Sequence, residues 1–164
     1  MRSETIGVAF LQKAKVAKRI YATVVYGKTN CDGHKEQGIT FPSSKMQQTL
    51  LEEFYKECGI SPTSLGYMEA HGTGTYVGDP EEINALEQVF CKNKQTPLLI
   101  GSIKSNLGHS EGASSMCQIA KVIIIIIRVI IAVDFNDRKL MKFLYFTNKN
   151  LYNIFFAAKS LIVS

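Results

Sequence analysis

The 164-residue sequence contains no tryptophan and only 4 prolines, and none of its 4 cysteines falls in a Cys-x-x-Cys pair. Cys31, Cys58, Cys91 and Cys117 are separated by 27, 33 and 26 residues, which excludes the paired spacing of a thiolate zinc site or a dithiol redox motif. An even cysteine count in a chain of this length does not imply disulfides, so reduced thiols in a cytoplasmic protein are expected. The first ten residues, MRSETIGVAF, lack the apolar core and cleavage site of a secretory leader. Long apolar stretches are also missing. Val122–Ile127 and Val129–Val133 are split by Arg128, and neither approaches the roughly 18–20 residues of a spanning helix. A membrane role is therefore not expected. No repeat of about 20–50 residues is visible, which argues against a solenoid.

Charge of one sign is scarce in the body and concentrated at the end. Residues 1–121 hold 13 Lys/Arg against 12 Asp/Glu, whereas residues 122–164 hold 6 against 2. A nucleic-acid module presents a basic face on a folded domain, and the near-neutral body does not supply one. Glycine and proline disappear as well. The last proline is Pro97 and the last glycine Gly112, so the final 52 residues have neither. Residues 122–164 thus differ in kind from what precedes them. The apolar 46% and charged 20% of the whole are those of a globular chain.

Element signals alternate between strand and helix. Ile6–Leu11 and Arg19–Tyr26 read as strands, the second rich in β-branched and aromatic residues. The loop 27–44 is polar and contains Asn30, Asp32, Gly33 and Gly38. Lys45–Cys58 carries Leu50, Leu51, Phe54 and Tyr55 at helical spacing, and Gly59 is placed to end it. A turn at Pro62 and Ser64 leads to a strand at Leu65–Ala70. Asp79, Pro80 and Glu82 have the pattern of a helix start, with Asp79 as cap and Glu82 completing a capping box. Leu98–Ile103 reads as a strand, and a helix is expected from Ser110 or Glu111 through Ala120. The six β-branched residues Val122–Ile127 favour a strand by propensity. Residues 140–164 show no clean period and are expected to add nothing to the fold and to replace no strand of it. The order is that of an α/β layer, in which loops after successive parallel strands share one end of the sheet. His71 and His109 could meet there.

Two glycine-bearing loops concentrate the chemistry. The first is Glu69-Ala-His-Gly-Thr-Gly-Thr75 with Gly78 and Asp79, and the second is Gly101-Ser-Ile-Lys-Ser-Asn-Leu-Gly-His109. The first fails as a phosphate cradle because no Lys-Ser/Thr follows its glycines. No HxH, HExxH or cysteine partner makes the two histidines a metal site, and no metal is expected. Two imidazoles and the Lys104 ammonium suit a site that stabilises developing oxyanions on an acyl group.

The segments EAHGTGTYVGDP and GSIKSNLGHSEGA resemble the two C-terminal signature motifs of the β-ketoacyl synthase family. KTNCDGHKEQGITFPS is similar to the same family, in the wording of the animal-type multifunctional fatty acid synthase. The clear resemblance covers residues 2–121, and a fainter one reaches Lys139, so residues 1–139 are expected to be part of a ketoacyl synthase domain and 140–164 an unrelated tail. The resemblance implies a thiolase-like α/β fold, of which this chain holds mainly the C-terminal half. It implies decarboxylative condensation of an acyl thioester with a malonyl thioester, as in fatty acid and polyketide synthesis. His71 and His109 would be the active-site histidines and Lys104 the active-site lysine. Thr73 and Thr75 would bind the phosphopantetheine arm of an acyl carrier protein, the implied partner, with no cofactor bound directly. Glu111 would buttress the lysine loop, and Asn30, Asp32 and Gly33 would form a structural loop. The family's nucleophilic cysteine lies before residue 1 in such an alignment, and none of the four cysteines has its context. The chain alone is therefore expected to be inactive in condensation and to need the N-terminal half or a homodimer partner. The alternative is a non-catalytic fragment that binds an acyl carrier or a partner chain.

Overall fold

The structure is a computed structural model. It describes residues 1–92, 97–134 and 153–159, with side chains described for 1–92 and 97–127. Two compact units are present, one formed by Met1–Val24 and Ser102–Ile154, the other by Val25–Gly101 and Phe155–Ser164.

The unit containing Val25–Gly101 holds most of β1 (Thr23–Asn30), then α1 (Ser44–Cys58), β2 (Tyr67–Glu69), α2 (Gly78–Phe90) and β3 (Leu99–Gly101). Helix α1 starts where Ser43 caps it, its side chain accepting from the Met46 N–H. It ends at Gly59, whose φ of 70° is left-handed backbone that suits glycine. The stripe anticipated from spacing, Leu50, Leu51, Phe54 and Tyr55, is buried. Leu51, Phe54 and Tyr55 pack with Leu65 and with Leu86 and Phe90 of α2 to form the core. Tyr26–Phe54, Phe54–Tyr55 and Tyr55–Phe90 meet edge-to-face with ring centroids 5.4, 5.3 and 5.4 Å apart. Burial pushes the Tyr55 hydroxyl pKa up. The two helices are also joined at their N-terminal turns, where the Ser44 N–H donates to Glu81 and the Asn84 amide to the Ser44 hydroxyl.

Strands β2 and β3 are parallel neighbours, Tyr67 opposite Leu99, Met68 opposite Ile100 and Glu69 opposite Gly101. The Ala70 N–H extends the ladder to the Gly101 carbonyl at 2.8 Å. The loop with Asn30, Asp32 and Gly33 is structural, as the resemblance implies. Asp32 accepts from the Ser43 N–H and pairs with Lys35 at 2.7 Å, and Asn30 donates to the Met46 carbonyl.

The other unit contains the N-terminal segment, α3 (Lys104–Leu107), a 3-10 turn at Glu111–Ala113 and α4 (Ser114–Asp134). Two expectations are corrected here. Ile6–Leu11 lies outside any strand, with Ile6, Val8, Phe10 and Leu11 exposed. A strand requires a partner for its backbone groups, and this segment forms no ladder among the described residues. Gly7 comes close to α4, where a Cβ on it would stand 2.8 Å from Met116 Cβ. Val122–Ile127 continues α4 rather than forming a strand. The helix is already nucleated at Ser114, each further residue extends an existing hydrogen-bond ladder, and the propensity cost of isoleucine is only a few tenths of a kcal/mol.

The tail expectation meets one difference. Asn153–Lys159 forms β4, which pairs with β1 in a separate two-stranded sheet. Residues 140–152 and 160–164 lie outside the described residues.

Candidate functional site

The loop after β2 belongs to the unit of α1 and α2. His71 is exposed and follows the strand end by two residues. Its backbone N–H donates to Glu82 Oε1 at 2.6 Å, and the Gly72 N–H donates to Glu82 Oε2 at 2.8 Å. The Gly74 N–H lies 3.1 Å from both carboxylate oxygens of Asp79, and the Thr75 N–H lies 3.4 Å from Oδ1. Gly72 and Gly74 have φ of 48° and 74°, so left-handed backbone turns successive amides toward these carboxylates.

These contacts correct the roles expected for Asp79 and Glu82. Val77, not Asp79, is the N-cap residue of α2, and the Val77 side chain makes no capping bond. Both carboxylates instead bind amides of the preceding loop. An ionised carboxylate accepts backbone N–H bonds more strongly than a neutral group, and the loop turns several N–H donors toward these acids. Sequence spacing signalled a helix start correctly but did not reveal which amides the acids would satisfy.

Thr73 and Thr75 stand on the same loop, their hydroxyl oxygens 3.2 Å apart. The Thr75 hydroxyl accepts from the Gly78 N–H at 3.1 Å. A Cβ on Gly78 would collide with Thr75 Oγ1, which explains glycine at this position.

Lys104 and His109 belong to the other unit. Lys104 opens α3 and is buried, with 7% of its surface exposed. Its carbonyl accepts from the Gly108 N–H at 2.9 Å, closing the turn that leads to His109. Gly108 has φ of 77°, and a Cβ there would stand 3.0 Å from the Met1 carbonyl oxygen. The His109 N–H donates to Met1 O at 2.9 Å, and the Ser3 N–H donates to His109 O at 3.0 Å. The imidazole Nδ1 accepts from the Glu111 N–H at 3.1 Å. An accepting Nδ1 carries no proton, so the neutral ring presents Nε2–H as a donor. Glu111 itself pairs with Arg2 at 3.0 Å. The sequence offered no sign that Met1–Ser3 would meet His109.

Cys117 lies on α4, its sulfur 3.4 Å from the Ser110 hydroxyl. Hydrogen bonds from Ser110 and Thr5 lower its thiol pKa, with the Lys104 charge a smaller contributor. All four cysteines are free thiols.

The structure thus places Lys104 and His109 in one unit and His71, Thr73 and Thr75 in the other. A cavity of about 540 Å³ beside α1 and α2, lined by Lys35, Phe41, Lys45, Gln48, Glu81 and Asn84 among others, includes none of these five residues. Among the described residues, no helix is long and apolar enough to cross a membrane.

Residues 21–136 match the family described as beta-ketoacyl synthase, C-terminal domain. The chain is 54% identical over 123 residues to a fatty acid synthase of Anser anser anser, taking in 75% of this chain and 35% of that protein. It is 38% identical over 157 residues to probable polyketide synthase 17 of Dictyostelium discoideum, taking in 92% of this chain and 6% of that protein. Among solved structures, the ketosynthase from module 6 of the bacillaene synthase from Bacillus subtilis 168 matches with a TM-score of 0.54 and 43% identity. That match covers 58% of this chain and 17% of the other. The chain therefore spans about a third or less of each of these relatives.

Proposed function

Because the chain belongs to the β-ketoacyl synthase family through that family's C-terminal domain, we propose that it provides the histidine- and lysine-bearing part of a decarboxylative condensation. The α/β fold is thiolase-like, in keeping with its ketosynthase neighbours. In the proposed reaction the bond between Cα and the carboxylate of a malonyl thioester breaks. Carbon dioxide leaves, and the electron pair passes to the thioester oxygen as an enolate. The enolate carbon then attacks the carbonyl of an acyl thioester, and the thiolate of that thioester departs. His71 and His109 would stabilise the oxygen on which charge develops, and Lys104 would hold charge and orientation beside the second histidine.

The observation that carries this reading is the Glu111 N–H on His109 Nδ1, which makes Nε2–H the donor of the neutral ring, the kind of group that stabilises an oxyanion. Thr73 and Thr75 fit the amide-rich arm of an acyl carrier protein, since both are hydroxyls on one glycine loop next to His71. Carrier proteins and the thioesters they bear are the proposed partners. The acyl group's seat in the family is a cysteine whose sequence context none of the four cysteines here shares.

The test is decarboxylation of a malonyl thioester by the full chain, without an acyl donor. We expect release of carbon dioxide that falls about 100-fold or more in His71→Ala and in His109→Ala, and no condensation product. A rate untouched by both substitutions refutes the assignment. Carrier binding with no decarboxylation at all supports the second reading, a non-catalytic binding fragment.

A further inference from the structure

We infer that the N-terminal arm Met1–Ser3 is a positioning element for His109, setting which ring nitrogen carries the imidazole proton. The inference rests on the oxyanion role proposed for His109, but its physical content is read without turnover.

Two attachments converge on this histidine from the arm. The first is backbone. Arg2 and His109 form an isolated parallel bridge, in which the His109 N–H donates to Met1 O and the His109 carbonyl accepts from the Ser3 N–H. Both peptide groups of His109 are therefore fixed by the arm. Gly108 makes the approach possible, because any side chain there would press on Met1 O and on Ser3 Cβ, at 3.0 and 3.4 Å. The second attachment is through a side chain. The Glu111 N–H holds His109 Nδ1, and Glu111 has φ of 43°, left-handed backbone that a non-glycine residue adopts only when its surroundings hold it there. Arg2 Nε reaches Glu111 Oε1 at 3.0 Å.

The two attachments differ in weight. The Arg2 side chain is 90% exposed and that of Glu111 61%, and an exposed ion pair stabilises little. The backbone bonds therefore carry the larger share, and Arg2 is a minor trim on the Glu111 turn. Losing the backbone bonds frees His109 to move away from the Glu111 amide, and the preference for the Nε2–H tautomer then weakens.

The experiment is 15N NMR of the imidazole nitrogens in the full chain. The signals of His34, His71 and His109 are told apart by a His109→Gln variant. Wild-type neutral His109 is expected to carry its proton on Nε2. Ser3→Pro removes the N–H that holds the His109 carbonyl, and the tautomer ratio is expected to fall about fivefold. Arg2→Ala is expected to lower it by less than about twofold, with Arg2→Lys, which keeps the charge, restoring it. The His71 signals should not move. An unchanged His109 ratio in Ser3→Pro overturns the inference. If Ser3→Pro does not fold, Gly108→Ala, whose Cβ would press on Met1 O at 3.0 Å, decides, and an unchanged ratio there overturns it. An arm-dependent tautomer in a chain that does not decarboxylate malonyl thioesters would leave the arm standing and remove the function. Decarboxylation with an arm-independent tautomer would do the reverse.

Discussion

In the loop after β2, the amides of His71 and Gly72 end on Glu82, and those of Gly74 and Thr75 end on Asp79, two acids in the first turns of α2. In the loop after α3, the peptide groups of His109 end on the backbone of Met1 and Ser3, and its ring nitrogen ends on the Glu111 amide. One histidine is thus held by charged side chains, the other by main chain. The difference decides what each loop tolerates. Side-chain anchors are lost by a single conservative substitution, whereas main-chain anchors survive most substitutions and yield only to changes in backbone freedom.

The largest expected effect lies on the side-chain-anchored loop. Glu82→Ala removes both short contacts at once and leaves two loop amides to find other partners. A loss of about 1.5–3 kcal/mol is expected, the range for hydrogen bonds to charged groups. Amide hydrogen exchange should quicken at His71 and Gly72 while the His109 amide keeps its protection. If the His71 and Gly72 amides remain protected, the loop is not held by α2.

A smaller effect is expected on the main-chain-anchored loop. Gly108→Ala forces an L side chain into φ of 77° and brings a Cβ to 3.0 Å from Met1 O. The cost is about 1–3 kcal/mol, read as a lowered denaturation midpoint. Exchange should quicken at the amides of Ser3 and His109 and stay unaltered at Gly72. Equal loosening of both loops would erase the distinction between them.

The smallest effect is a control away from both loops. Lys28 pairs with Glu57 at 2.6 Å and with Glu53 at 2.9 Å, and the Tyr26 hydroxyl also donates to Glu57. Hydrogen bonds from Lys28 and then Tyr26 hold the Glu57 carboxyl below its ordinary value, and Glu57 with Glu53 raises the Lys28 pKa. A carboxyl lowered on folding contributes stability that is present above its unfolded value and is lost as pH falls through the folded one. A slight acid limb in thermal stability is therefore expected below about pH 4.5, and Glu57→Gln should flatten it. The exposure of Glu57 and screening by salt keep the effect small. A limb that is unchanged in Glu57→Gln would place the acid sensitivity in other carboxylates.

Much of the α1–α2 unit was legible because local signals agreed with one another. Leu50, Leu51, Phe54 and Tyr55 recur at helical spacing between Ser43 and Gly59, and the helix runs from Ser44 to Cys58. The short strands before His71 and Lys104 were legible too, although each is only three residues long in the fold. The expected strand at Arg19–Tyr26 is displaced to Thr23–Asn30, because β propensity marks a region without fixing where pairing begins. Val122–Ile127 misled for the opposite reason. Its side chains favour a strand, but Ser114 had already started a helix that they extend.

The sequence by itself determined the family, through long ordered motifs around His71 and His109, and it determined which residue types stand in the two loops. Only the tertiary structure decided what holds those residues. Asp79 and Glu82 lie at capping positions by spacing, yet their carboxylates bind His71, Gly72, Gly74 and Thr75. Met1–Ser3 carries no motif, yet it supplies the partners of the His109 peptide groups. The physical reason is the same in both cases. A backbone amide is satisfied by whichever acceptor the packed chain brings within reach, and reach across 10 or 11 residues, or across more than 100, is set by the fold rather than by local sequence.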